Sequence, residues 1–352
     1  MSFSQEELKQ YNRHIILDNI GKAGQLKLKK AKVLIIGAGG LGCPVLQYLT
    51  AAGIGTIGIL DDDIVDQSNL QRQILYNYND MGKYKASVAT ERLTLLNPFV
   101  NFTTYIERLT DKNALSLFSQ YDIIVDCSDN FPTRYLANDA AVLVNKPLVF
   151  GSIFKFEGQV SVFNYNNGPN YRCLYPTPPD ANLLSNCADI GVLGVLPGIM
   201  GALQANEVIK IICQIGTVLS GKLLILDALT MQQHLLSFNT SPAVAINKLE
   251  DNYSSFCGIL GNLQEITFSE FQKHAADYNL IDVRTISERI NYHIGGIHIP
   301  LNELPERLKE IPQDKSLIVY CQSGMRSKQA ITLLKKNNFP CSLLFLKGGL
   351  NP

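Results

Sequence analysis

A chain of 352 residues is long for one ordinary domain and points to two. Its 31 basic and 31 acidic residues cancel, which excludes a general electrostatic pull toward nucleic acid or an anionic membrane surface. Apolar content of 46% with 18% charged residues is that of a folded protein with a sizeable core.

The N-terminus, MSFSQEELKQ, is polar and acidic, with no signal-peptide core. Residues 4–30 carry helical spacing at Leu8, Tyr11, Ile15, Ile16, Leu26 and Leu28. Arg13 and His14 interrupt that face, and from this segment alone Arg13 reads as solvated. The apolar run 33–36 predicts a strand entering Gly37-x-Gly39-x-x-Gly42, then a helix, then a second strand ending at Asp61. In such a βα unit the glycines serve a tight turn, close approach to a phosphate and helix–strand packing. The helix start beyond Gly40 offers open N–H groups to an anion. Asp61, 19 residues past Gly42, can take a ribose hydroxyl. Up to this point NAD suits the pattern as well as ATP.

Further on, the pattern predicts a helix over 83–96, a strand over 100–105, a helix over 112–118, a strand over 123–125 leading into CSDN, a helix over 130–144 and a strand in PLVFGS. Alternation of this kind predicts a parallel sheet with helices on both faces, so Gly37, Asp61 and Ser128–Asp129 converge at the strand ends. From Phe156 the period changes: EGQVSVFNY and KLLILDA alternate as antiparallel strands do. NYRCLYPTPPDANLLSNCADIG between them reads as a long ordered loop, and 190–212 as a buried helix. The longest uncharged stretch, 190–206, holds Pro197 and four glycines and is too short to span a bilayer comfortably. Residues 249–262 read as a linker between a domain at 1–248 and a compact α/β domain at 263–352. The eight cysteines are scattered, which with the N-terminus suggests a cytoplasmic protein with reduced thiols. Cys43, Cys127, Cys213 and Cys341 sit in apolar or helical patterns and read as packing.

The second half of the glycine-loop region separates the two nucleotides. SNLQRQ places Asn69 and Arg72 about one turn apart, and Lys85 and Asp129 follow at element ends. One Arg, one Lys, an Asp for Mg²⁺ and a glycine loop are what phosphoryl or nucleotidyl transfer requires, because cations must neutralise charge growing on the phosphate oxygens. Nicotinamide chemistry needs no such cluster. An NAD-dependent oxidoreductase remains the alternative supported by the glycine motif and Asp61 alone. A carrier-docking protein without chemistry is a third reading, which intact Arg72, Lys85 and Asp129 argue against.

GAGGLG, LDDDIVDQSNLQRQ, the GKYK lysine, CSDN, TRYLANDA and NCADIGVLGVLPGIMG together resemble the ubiquitin-activating-type adenylyltransferases, most closely their molybdopterin-synthase adenylyltransferase branch, with the thiamine-pathway ThiF proteins next. The resemblance covers about residues 5–245. It implies a mixed α/β Rossmann-like domain in which Gly37, Gly39, Gly40, Gly42, Asp61, Ser68, Asn69, Arg72, Lys85, Asp129 and Asn130 surround ATP. Within it Asp61 would hold the ribose, Arg72 and Lys85 the phosphates and Asp129 the Mg²⁺. It also implies a homodimer in which Arg13 reaches the partner's ATP, and adenylation of the C-terminal glycine of a small ubiquitin-like sulfur carrier ending in Gly-Gly. Thiamine and tRNA-thiolation carriers share this chemistry. Cys187 falls at a crossover-loop cysteine that some members use covalently and others do not need. The family's structural zinc is held by two Cys-x-x-Cys pairs, and here these read Asn170-x-x-Cys173 and Ser254-x-x-Cys257, so no zinc is expected.

CQSGMRS at 321–327 follows the strand SLIVY and precedes a helix, a junction whose N–H groups lower a thiol's pKa. With LIDVRTISER and HIGGIHIPL it resembles a rhodanese domain, in which Cys321 would carry a persulfide charged by a donor such as a cysteine desulfurase, beside Arg326. Asp282 and Arg284 match that family's DVR motif, more often structural than catalytic. The chain stops at KGGLNP, before the closing segment usual there.

Overall fold

A computed structural model describes residues 2–179, 191–241, 245–257, 263–337 and 339–350. The chain divides into two compact units, Met1–Tyr253 and Ser254–Pro352. In the first, eight strands form one sheet: β1 Lys32–Ile36, β2 Thr56–Leu60, β3 Asn101–Tyr105, β4 Ile123–Asp126, β5 Leu148–Phe154, β6 Glu157–Phe163, β7 Lys222–Asp227 and β8 Gln233–Ser237. Their order is β3-β2-β1-β4-β5-β6-β7-β8. The pairs among β1 to β5 are parallel, and β6, β7 and β8 continue antiparallel. The change of strand direction falls where the sequence period changes.

The strands β1 and β4 read as unbroken apolar runs because both faces of the sheet are covered. Val33 and Ile35 join the core beneath the helices Gly42–Ala52 and Leu196–Cys213, while Leu34 and Ile124 are equally buried on the other face. The N-terminal helical stretch is three helices, Gln5–Gln10, Asn12–Ile15 and Gly21–Lys30. The last of them starts at Gly21 with φ +58°, a conformation that glycine adopts at little cost. The buried helix starts at Leu196, with Pro197 in its first turn, where a missing N–H is harmless. Part of the expected loop is helical, Tyr171–Leu174, with Asn170 as its cap. Cys187 lies outside the described residues.

The second unit holds β9 Gln264–Ile266, β10 Tyr278–Asp282, β11 Ile297–His298, β12 Ser316–Tyr320 and β13 Leu343–Leu346, all parallel, in the order β11-β10-β12-β13-β9. Alternate residues of β12 serve separate cores: Leu317 and Val319 on one face, Ile318 and Tyr320 on the other. Residues expected as linker begin bound to the first unit, since Tyr253 is buried with its hydroxyl donating to Asp139 at 2.7 Å. No helix of the described residues is long and apolar enough to cross a membrane.

Candidate functional site: a glycine-loop crevice and a cysteine cradle

Strand order reverses at β1, and a crevice opens outside the carboxyl ends of β1, β2 and β4. Gly37, Asp61 and Cys127 come side by side there because Ile36 is in register with both Leu60 and Asp126. Gly37 has φ +91°, and a Cβ on it would lie 3.0 Å from the Cys127 carbonyl oxygen. A Cβ on Gly42 would lie 2.0 Å from the Gly37 oxygen, so the loop closes only with glycine at that position. The helix Gly42–Ala52 has Leu41 at its N-cap and no side-chain cap; Cys43 N donates back to Gly39 O at 2.9 Å and Pro44 has no N–H, so the loop itself closes the helix start. The shank of Arg72 passes close by: its Cδ is 3.7 Å from a Cβ built on Gly40.

Asp61 spans the loop and the segment after β2. Its Oδ2 accepts from Ala38 N at 2.7 Å and its Oδ1 from Asp63 N at 2.8 Å, leaving each oxygen a further lone pair. Burial pushes its pKa up, against the pull of these N–H groups and of Lys85. Lys85 is buried, and its Nζ sits 2.6 Å from the exposed Asp63 carboxylate. Tyr76 ties the two sides together, its hydroxyl 2.7 Å from Ala38 O and 3.4 Å from Lys85 O.

Ser68 and Asn69 shape the turn that carries Arg72. Ser68 donates to Asp66 at 2.6 Å, Asn69 closes the capping box on Asp66, and Arg72 Nη1 donates to Ser68 O at 3.1 Å. Asp129 is exposed at the end of β4, accepting one long bond from Asn130 at 3.4 Å. Asn130 caps the helix Phe131–Leu143 through Thr133 N at 3.0 Å. Arg13 is exposed on the helix Asn12–Ile15, and among the described residues no hydrogen bond or ion pair joins it to this crevice.

Three buried side chains that the sequence reading did not single out line the same end of the sheet. Asp126 is fully buried, its pKa raised by burial and pulled back by Arg134. Arg134 lies between the rings of Phe131 and Phe150, at 5.2 and 5.6 Å. Gln73 packs beside Gly39. Asp126 Oδ2, Ser128 Oγ, Arg134 Nε and Gln73 Oε1 are buried without a hydrogen-bond partner, which is unusual for a protein interior and fits a polar ligand above them. In the sequence Asp126 is hidden as the last residue of an apolar strand.

The second unit carries its own cradle. Cys321 follows β12, and Gly324, at φ +86°, caps the helix Met325–Lys336. Gly324 N and Ser327 N approach Cys321 Sγ at 3.1 and 3.4 Å. Arg326 forms a forked pair with Glu288 at 2.7 and 2.5 Å, which holds the Glu288 carboxyl down at about 2. Arg284 is buried against Asp282, at 2.9 and 2.8 Å, and also holds Tyr292 O and Gln322. Leu350 N donates to Cys321 O at 3.0 Å, so the KGGL segment closes on the loop.

Residues 11–245 match the ThiF family, and residues 267–352 the Rhodanese-like domain. The chain is 41% identical, over 99% of its length and 93% of the other, to a probable adenylyltransferase/sulfurtransferase MoeZ of Mycobacterium tuberculosis. It is 48% identical, over 74% of its length and 100% of the other, to a sulfur carrier protein adenylyltransferase of Thermus thermophilus. The crystal structure of E. coli MccB with ATP aligns at a TM-score of 0.61 and 25% identity, covering 67% of this chain and 74% of that one. With the family's glycine loop, its motifs in order and a relative this similar over nearly the whole length, the chain belongs to the ThiF family and carries a Rhodanese-like domain after it.

Proposed function

We propose that this protein adenylates the C-terminal glycine of a small ubiquitin-like sulfur carrier, of the kind that forms the small subunit of molybdopterin synthase, and then supplies sulfur through Cys321. The observation that carries this reading is the presence in one chain of a glycine-loop crevice, with Arg72 on the turn that passes Gly40, Lys85 at the start of the helix Lys85–Leu96 and Asp129 after β4, and of a cysteine cradle. The names of the two relatives support it, since one is named a probable adenylyltransferase/sulfurtransferase and the other a sulfur carrier protein adenylyltransferase.

In this reading residues 1–248 are the adenylation domain, 249–262 the linker and 263–352 the rhodanese-like domain. ATP lies over the glycine loop, with Asp61 on the ribose, Ser68 and Asn69 along the turn, and Arg72 and Lys85 on the phosphates. Gly40 lets the nucleotide approach the backbone. Asp129, with Asn130 beside it, would hold Mg²⁺, which would supply positive charge to the polyphosphate. The carrier carboxylate attacks the α-phosphorus, and pyrophosphate leaves. AMP is a far better leaving group than hydroxide, so the acyl carbon is open to sulfur. The outer sulfur of the Cys321 persulfide then attacks that carbon and AMP departs, which leaves carrier and Cys321 joined through a disulfide bond. A second thiol must attack the Cys321 sulfur to release the thiocarboxylate, and an external thiol then reduces the disulfide left on Cys321; Cys187 is proposed as a covalent residue of the adenylation domain. Arg13 completes the partner subunit's site in a cytoplasmic homodimer.

The test is pyrophosphate exchange into ATP with purified chain, Mg²⁺ and candidate Gly-Gly-tailed carriers from the molybdopterin, thiamine and tRNA-thiolation classes. Exchange that depends on a carrier and is lost in Asp129→Ala is the expected result. No exchange with any of the carriers, together with tight NADH binding, would return the crevice to a dehydrogenase.

A further inference from the structure

The glycine loop, the end of β2 and the helix Lys85–Leu96 are joined by a closed ring of hydrogen bonds. Ala38 N donates to Asp61 Oδ2 at 2.7 Å, and the Ala38 carbonyl accepts from the Tyr76 hydroxyl at 2.7 Å. The same hydroxyl lies 3.4 Å from Lys85 O, Lys85 N donates to Asp63 O at 2.9 Å, and Asp63 N returns to Asp61 Oδ1 at 2.8 Å. The ring thus passes through Asp61 and Lys85, the residues read as holding the ribose and the phosphates.

A hydroxyl has one proton to give, and the distances decide where it goes. The short bond is to Ala38 O, whereas Lys85 O, inside a helix, has an amide of the next turn as its partner. Tyr76 is buried, which pushes its pKa up and keeps it a donor. Its backbone is fixed too, since Arg92 Nη1 donates to the Leu75 carbonyl beside it at 2.6 Å. The other donor near Ala38 O is the Cys43 thiol at 3.6 Å, a weak one. Without the phenol oxygen, the Ala38 peptide would be held chiefly by Asp61 itself. Asp61 would then lose one of its two fixed anchors just where it has to meet a ligand.

We propose that Tyr76 is a positioning residue of the nucleotide site: by holding the Ala38 peptide, it sets the Asp61 carboxylate toward the ribose before the nucleotide arrives. The inference rests on the adenylation reading of the crevice. Tyr76 acts through Ala38 and Asp61 and needs no contact with the nucleotide. Because its short bond runs to Ala38 and its long one to Lys85, its effect falls on nucleotide binding and little on the chemistry at phosphorus.

The experiment measures by calorimetry, on the full chain, the dissociation constants of ATP and of 2′,3′-dideoxy-ATP, which lacks both ribose hydroxyls. Wild type is expected to bind the dideoxy nucleotide about tenfold more weakly than ATP, the worth of one hydrogen bond to a carboxylate. Tyr76→Phe removes a single oxygen; it should bind ATP about tenfold more weakly than wild type does, and dideoxy-ATP with the wild-type affinity. In carrier-dependent pyrophosphate exchange, the KM for ATP should rise by the same factor while kcat stays within about threefold of wild type. A general loosening of the fold would weaken both nucleotides alike, and that result overturns the proposal, as does an unchanged ATP affinity in the variant. Equal binding of the two nucleotides by wild type takes Asp61 off the ribose and removes the proposal with it. A wild type that binds neither nucleotide overturns the adenylation reading itself.

Discussion

Lys85 is almost fully buried, while the carboxylate it pairs with, on Asp63, is two-thirds exposed. An ion pair with one solvated member is worth little to stability, on the order of 1 kcal/mol or less. Its effect is to fix where the ammonium ends, at the rim of the crevice rather than in the core beneath it. The pair also costs little to break, so a polyphosphate, with more charge than one carboxylate, can take the ammonium over. Lys85→Met is therefore expected to leave the urea midpoint of the first unit within about 1 kcal/mol of wild type. The same change should lower carrier-dependent pyrophosphate exchange by about a hundredfold or more, the usual effect of removing one preorganised charge from a developing phosphate anion. Matched exchange rates would remove Lys85 from the site.

At the scale of elements, much was legible because burial leaves a period in the chain. Unbroken apolar runs gave the parallel strands, and alternation gave β6 and β7 their antiparallel place. Boundaries moved where a single residue decided them, as at Gly21 and Pro197. Pairings between distant residues left no such trace. Arg172 and Asp139 are 33 positions apart and Tyr253 and Asp139 are 114 apart, yet they form one buried cluster in which Arg172 meets Asp139 at 2.8 and 2.5 Å. Burial pushes the Tyr253 hydroxyl's pKa up, and Asp139 beside it adds to that. Arg172 lies between Asn170 and Cys173, in the segment where the resemblance places one pair of zinc cysteines. Glu250 and Tyr253 come from the stretch read as linker. A charged staple thus joins these segments of the first unit. Breaking a buried pair from one side leaves an uncompensated charge and costs about 3–5 kcal/mol. Arg172→Met should lower the first unit's stability by that amount in urea unfolding. Chelator treatment of the wild type should leave its midpoint unchanged, whereas a shift of several kcal/mol would reveal a metal held there.

At the scale of the whole molecule, each unit encloses its own core, and each carries its reactive groups at the carboxyl ends of its own parallel strands. Crevice and cradle are therefore each set by the packing of their own unit. Joining them in a single chain raises the effective concentration of the second reactive group at the product of the first, without any added contact. Cys321→Ala separates the two contributions. The residue sits at the floor of its loop and is fully buried, so removing its sulfur leaves a small cavity costing about 1 kcal/mol within the second unit alone. Pyrophosphate exchange with the cognate carrier should then proceed at the wild-type rate, and the acyl-adenylate should form and hydrolyse. The carrier's mass should nevertheless never show the exchange of oxygen for sulfur that the wild type produces with a persulfide donor present. If the variant still formed thiocarboxylate at the wild-type rate, sulfur would be reaching the adenylate directly from the donor. The cradle would then be a docking feature rather than a station on the path.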